Sequence, residues 1–153
     1  MGITLTNGNE FRLDLLAEIR RADMLTVRAL SMLGEMTVSM ARSRSADDSW
    51  IDRTGNLRSS VGYIVLRDGE IVSASDFGQV KQGSDGSKAG RQFAEEIARD
   101  IHSDYALIVV AGMNYASYVE AIESKDVLAG PELFARKNLP GMLKQLERQI
   151  VRG

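Results

Sequence analysis

Few residues in this chain are suited to chemistry. Asp104, Glu123 and Lys125 flank or follow apolar runs, and a magnesium-dependent nuclease would use two such carboxylates to hold the metal and the lysine to position or activate water. Glu123-Ser124-Lys125 is, however, an acidic-x-Lys triplet of a kind that arises often by chance. Glu120 and Glu123 fit a solvated face near a turn more naturally. His102, the single histidine, would have to serve any Ser-His-Asp triad, and no Gly-x-Ser-x-Gly elbow accompanies it. Placed at the C-terminal end of a helix, its imidazolium would simply complement the dipole. Gly83-Ser84-Asp85-Gly86-Ser87-Lys88 has the glycines and lysine of a phosphate loop, but Ser87 stands where the glycine before the lysine belongs and Ala89 where the hydroxyl belongs. Backbone N–H groups at the following helix start could still hold an anion, yet a plain glycine-rich loop is the better reading. Arg42, Arg44, Arg53 and Arg58 would make a basic patch if the fold gathered them, but Asp47, Asp48 and Asp52 interleave them, which favours a mixed-charge solvated surface. The residues therefore point away from an enzyme, and no cofactor or metal is expected.

The composition agrees. Nineteen Lys and Arg against twenty-one Asp and Glu leave a net charge of −2, so no global positive field attracts a phosphate backbone, and no specific nucleic-acid partner is expected. The chain has no cysteine, which removes disulfides, thiolate metal sites and thiol nucleophiles together. No basic stretch followed by an apolar run opens the chain, and no run of about eighteen apolar residues occurs in it. A soluble, non-secreted protein without a membrane partner is expected. With 153 residues, 44% of them hydrophobic, one real core can be buried, and a single domain over residues 1–153 is predicted.

The elements that must position these residues follow from periodicity. Asn7 with Glu10 three residues later resembles a capping box, and Leu15, Ile19, Ala22, Leu25, Ala29, Leu33, Met36 and Met40 then recur at steps of three and four. A long amphipathic helix to about Arg42 is predicted. Leu16, Leu30 and Met32 widen its apolar stripe beyond what a small sheet covers, so part of it could meet another subunit, with an intramolecular core as the simpler alternative. Trp50 and Ile51 are expected to anchor a polar linker over 43–52. Val61, Tyr63 and Val65 alternate, and Arg67-Asp68-Gly69-Glu70 supplies turn chemistry before Ile71-Val72-Ser73-Ala74, predicting a β-hairpin. A flexible loop is expected at about 76–88, with Ser87 capping a helix through Phe93, Ile97 and Ile101. The apolar run Tyr105–Ala111 suits a central strand buried on both faces. Gly130-Pro131-Glu132 marks a helix start, and Pro140-Gly141 should break or kink that helix before Met142, Leu143, Leu146 and Ile150 continue its stripe. The fold class predicted is α+β, an antiparallel sheet with a hairpin packed by a long N-terminal helix, a middle helix and a C-terminal helix.

Two segments carry a resemblance. Thr54-Gly55-Asn56-Leu57-Arg58-Ser59-Ser60-Val61, behind a long helix and ahead of a hairpin, and Asn114-Tyr115-Ala116-Ser117-Tyr118-Val119-Glu120, behind the apolar strand, are similar to segments of the tail-completion, or head-to-tail joining, proteins of tailed bacteriophages and prophages. Asp126-Val127-Leu128 and the terminal helix resemble versions from phages of gut Bacteroidetes. The likeness runs over most of residues 10–150. It departs from the family where many members read Phe-Gly-Thr after Val-Glu and this chain reads Ala121-Ile122-Glu123, and in the long stretch from Asp76 to Asp104. The resemblance implies a non-enzymatic virion protein of the neck, made in the bacterial host cytoplasm, that forms a ring with copies of itself and contacts connector, tail-terminator or tail-tube proteins. Arg58, Tyr63, Tyr115, Tyr118 and Glu120 are its expected interface residues. A metal-dependent nuclease and a small nucleic-acid-binding regulatory protein are the alternatives.

Overall fold

Val61-Gly62-Tyr63-Ile64-Val65-Leu66 sends apolar side chains to both sides of an extended chain, so the strand is stable only with a layer packed on each face. The computed structural model, which describes residues 8–43, 54–79, 81–112 and 128–152, shows that arrangement. Strand β1 (Val61–Arg67) lies between β2 (Glu70–Ala74) and β3 (Tyr105–Ala111) in an antiparallel sheet ordered β2–β1–β3. Val61, Tyr63 and Val65 meet Val38 and Ala41 of α1 (Gly8–Arg42) on one face. Ile64 and Leu66 meet Ala94 and Ala98 of α3 (Ser84–Ala98) on the other, together with Phe77 and with Ile108 and Val110 of β3. A one-turn helix, α2 (Asn56–Ser59), leads into β1. Helix α4 (Ala129–Val151) packs along α1. The fold is α+β, a hairpin-containing antiparallel sheet covered by long N-terminal, middle and C-terminal helices.

The hairpin turns on Asp68 and Gly69, both at positive φ (51° and 82°), the two-residue geometry that matches strand twist and that Asp-Gly favours. Pro131 and Glu132 sit in the first turn of α4, where a missing N–H costs nothing and a carboxylate suits the dipole. At its other end the Arg21 guanidinium donates to the carbonyls of Gln149 (3.2 Å) and Ile150 (2.6 Å), closing two of the acceptors that a helix C-terminus leaves open. Since Thr37 and Pro131 line a common cleft while Arg21 meets Ile150, α1 and α4 run antiparallel.

Four expectations need correction. Helix α3 begins at Ser84, not at Ser87, so the end of the predicted 76–88 loop is helical. Its glycines had suggested a loop, but Gly86 and Gly90 are a packing face: a Cβ on Gly86 would lie 1.9 Å from the Asn56 carbonyl oxygen, and one on Gly90 2.3 Å from that of Ser60. Strand β3 is not central among the described residues; β1 is, and β3 forms an edge. Of the break or kink expected at Pro140, the break does not occur: helix α4 is continuous through it, on an exposed turn where water can serve the carbonyl that proline leaves without a donor. His102 is not at a helix end either, because α3 stops at Ala98 and the histidine lies exposed beyond it, beside Gly69. Trp50 and Ile51 lie outside the described residues.

Candidate assembly surface

The Thr54–Val61 segment is a junction, and each residue in it has a local task. Gly55 takes a positive φ of 84°, a conformation costly for residues with a Cβ. The turn brings the Asn56 side chain to α3, where Oδ1 accepts from the Gly86 N–H at 3.1 Å, and the flanking residue Gly83 gives α3 no side-chain cap of its own. Asn56 thus caps α3 from a distance in sequence. Leu57 is buried as the anchor of the hairpin. Ser60 Oγ donates to the Leu57 carbonyl at 2.7 Å, and the Ser60 carbonyl accepts from the Gly112 N–H at the end of β3. The same segment therefore ties together α3, β1 and β3.

The expected interface residues separate on this frame. Arg58 is partly buried and donates to the Arg42 carbonyl at 2.5 Å, closing the C-terminus of α1, while Arg42 donates to the Gly78 carbonyl. The two arginines of the predicted basic patch that are described are thus turned onto backbone carbonyls; Arg44 and Arg53 lie outside the described residues. Tyr63 is 3% exposed, its ring packed against α1 where a Cβ on Gly34 would come within 2.6 Å. Burial, followed by the Glu35 carboxylate, raises its hydroxyl pKa. The ring belongs to the chain's own core, which corrects its assignment to an interface. Tyr115, Tyr118 and Glu120 lie outside the described residues.

Of the residues expected to hold a metal, only Asp104 is described. Asp104 is exposed just before β3, with its carbonyl accepting from the Asp68 N–H at 2.9 Å; Glu123 and Lys125 lie outside the described residues. No group of three His, Asp or Glu side chains that could hold a metal occurs among the described residues. The closest polar cluster joins α1 to the sheet: Tyr105 donates to Asp23 Oδ1 at 2.6 Å, and Arg67 bonds Asp23 Oδ2 at 2.5 Å. The Tyr105 hydroxyl holds the Asp23 carboxyl below its ordinary pKa, helped by Arg67 and opposed by burial. The same bond pushes Tyr105 up to about 12. A neutral donor on a paired carboxylate is a structural clasp, with no group poised to exchange a proton near neutrality.

The conspicuous surface is the N-terminal part of α1. Because α4 ends where Arg21 holds it, residues 8–20 extend past the other described elements. Phe11 is 56% exposed, Leu13 65%, Leu15 50%, Leu16 37% and Ile19 56%. Farther along α1, Met32 and Met36 are also open, lining with Leu25, Ala29 and Met142 a cleft of roughly 530 Å³ against α4. Sequence reasoning found the apolar stripe but missed which part of it the chain covers. No helix among the described residues is long and apolar enough to cross a membrane. Compared with protein-family models, curated proteins and solved structures, the chain matches none.

Proposed function

We propose that this protein is a non-enzymatic structural component that works by assembling with copies of itself, and that its place is the head-to-tail joint of a tailed bacteriophage particle. The observation that carries the assembly reading is the arm at residues 8–20, where five large apolar side chains are exposed on a helix that no other described element covers. Contiguous apolar surface of this kind marks a contact with another macromolecule. The location in the particle rests on the resemblance of Thr54–Val61 and Asn114–Glu120 to tail-completion proteins. In that setting a ring of subunits adapts one layer to the next, using two different faces of each copy, and the neighbours are connector, tail-terminator or tail-tube proteins.

The test is mass spectrometry of purified, nuclease-treated particles of the source phage. Peptides of this chain at low copy relative to the major capsid protein are the expected result. Their repeated absence from particles in which other minor neck proteins are detected would overturn the placement.

A further inference from the structure

The arm is ordered in charge as well as in hydropathy. Residues four apart share a helix face, so Glu10, Asp14 and Glu18 form an acidic row, Phe11, Leu15 and Ile19 form the apolar row beside it, and Arg12, Leu16 and Arg20 form a row with two arginines on the other side. Leu13 extends the apolar surface beyond the basic row. The apolar row is therefore bordered by acid on one flank and by base on the other.

That order selects a partner and an orientation. When two such helices lie side by side and parallel across a shared apolar row, the acidic flank of each faces the basic flank of the other; when they lie antiparallel, acid meets acid and base meets base. The second arrangement is repulsive along both borders. A membrane surface is a poor match as well, since an interfacial helix carries basic residues at its borders and this one carries a carboxylate on each turn of one border.

We infer that the α1 arm at residues 8–20 docks on the same arm of a second copy of this chain, in parallel, with Phe11, Leu15 and Ile19 at the shared seam and the acidic row of one copy against the basic row of the next. The inference rests on the assembly reading above and names its contact. Leu16 within the basic row and Leu13 beyond it leave further apolar surface on that flank of each arm.

Disulfide trapping tests it directly, because the chain has no cysteine to interfere. Full-length Phe11→Cys and Ile19→Cys proteins are oxidised separately and as a mixture, and Leu15→Asp is compared with wild type by sedimentation velocity, with its circular dichroism and thermal unfolding as the control for folding. Expected are 11–11 and 19–19 dimers, no 11–19 product in the mixture, and a folded Leu15→Asp monomer at concentrations where wild type assembles. A dominant 11–19 product would overturn the parallel contact. Assembly of Leu15→Asp equal to wild type would place the contact elsewhere and overturn the inference while leaving the assembly reading intact. A wild type that stays monomeric across the accessible concentration range overturns it too, as does a monomer that binds anionic vesicles through Leu15 or buries the arm under residues 1–7; the particle measurement then decides the proposed location separately.

Discussion

The two halves of α1 are built from similar residues and have opposite surroundings. In the C-terminal half, Leu33, Gly34, Thr37, Val38 and Ala41 are buried against the sheet and α4. In the N-terminal half, Phe11, Leu15 and Ile19 repeat the same spacing and lie in water. Helix propensity does not separate the halves, and neither does amphipathicity. What separates them is where α4 stops: the Arg21 guanidinium fastens the last turn of α4, and beyond that point the stripe has no partner within the described residues. A helix can thus carry one continuous apolar stripe of which half stabilises the domain and half is left exposed among the described residues.

This contrast predicts unequal responses to substitution. The largest loss of stability is expected at Gly86→Ala, where the new Cβ would meet the Asn56 backbone; about 3 kcal/mol should be lost in urea unfolding, because neither backbone can yield as a side chain would. Gly34→Ala should cost about 1–2 kcal/mol, the clash with the Tyr63 ring outweighing the roughly 1 kcal/mol that alanine returns in helix propensity. Gly8→Ala, at an open position in the arm, should cost nothing. A loss from Gly8→Ala as large as that from Gly34→Ala would break the contrast.

Smaller effects sharpen it. Asn56→Ala removes the remote cap of α3 and should cost about 1 kcal/mol. Tyr105→Phe should also cost about 1 kcal/mol near neutral pH, the value being held down by the partial exposure of the clasp. The sign with pH is definite. Asp23 has a lowered folded pKa, so its contribution is present above the ordinary aspartate range and is lost as pH falls below it. Tyr105 has a raised one, so its contribution is present below the ordinary tyrosine value and is lost as pH rises from about 10 to about 12. The stability gap between wild type and Tyr105→Phe should therefore close at both extremes, as measured by chemical unfolding across pH. Leu15→Asp should shift the unfolding free energy of the monomer by no more than about 0.5 kcal/mol, as an exposed substitution does.

Much of the fold was legible in the sequence because local chemistry and tertiary structure agree there. The alternation from Val61 to Val65, the Asp68-Gly69 turn, the stripe of α1 and the Pro131 entry to α4 each led to the element observed. The failures share a cause. Gly83 and Gly86 read as loop formers, yet they are needed where α3 approaches the α2 backbone, a contact between segments far apart in sequence. Phe77, at positive φ and fully buried between the sheet and α3, had no periodic signal around it. Tyr63 shares its face of β1 with Val61 and Val65, the face that α1 covers, and both faces of that strand are packed. Of the candidate surface, the apolar stripe was readable, but not its exposure, since that depends on where a helix more than a hundred residues later ends.

Amide hydrogen exchange measured at low and high protein concentration distinguishes an associating arm from the packed remainder of α1. Residues 10–20 should gain protection as concentration rises while residues 30–42 are protected throughout. An arm whose exchange is the same at every concentration, in protein that nonetheless assembles, would contradict that expectation.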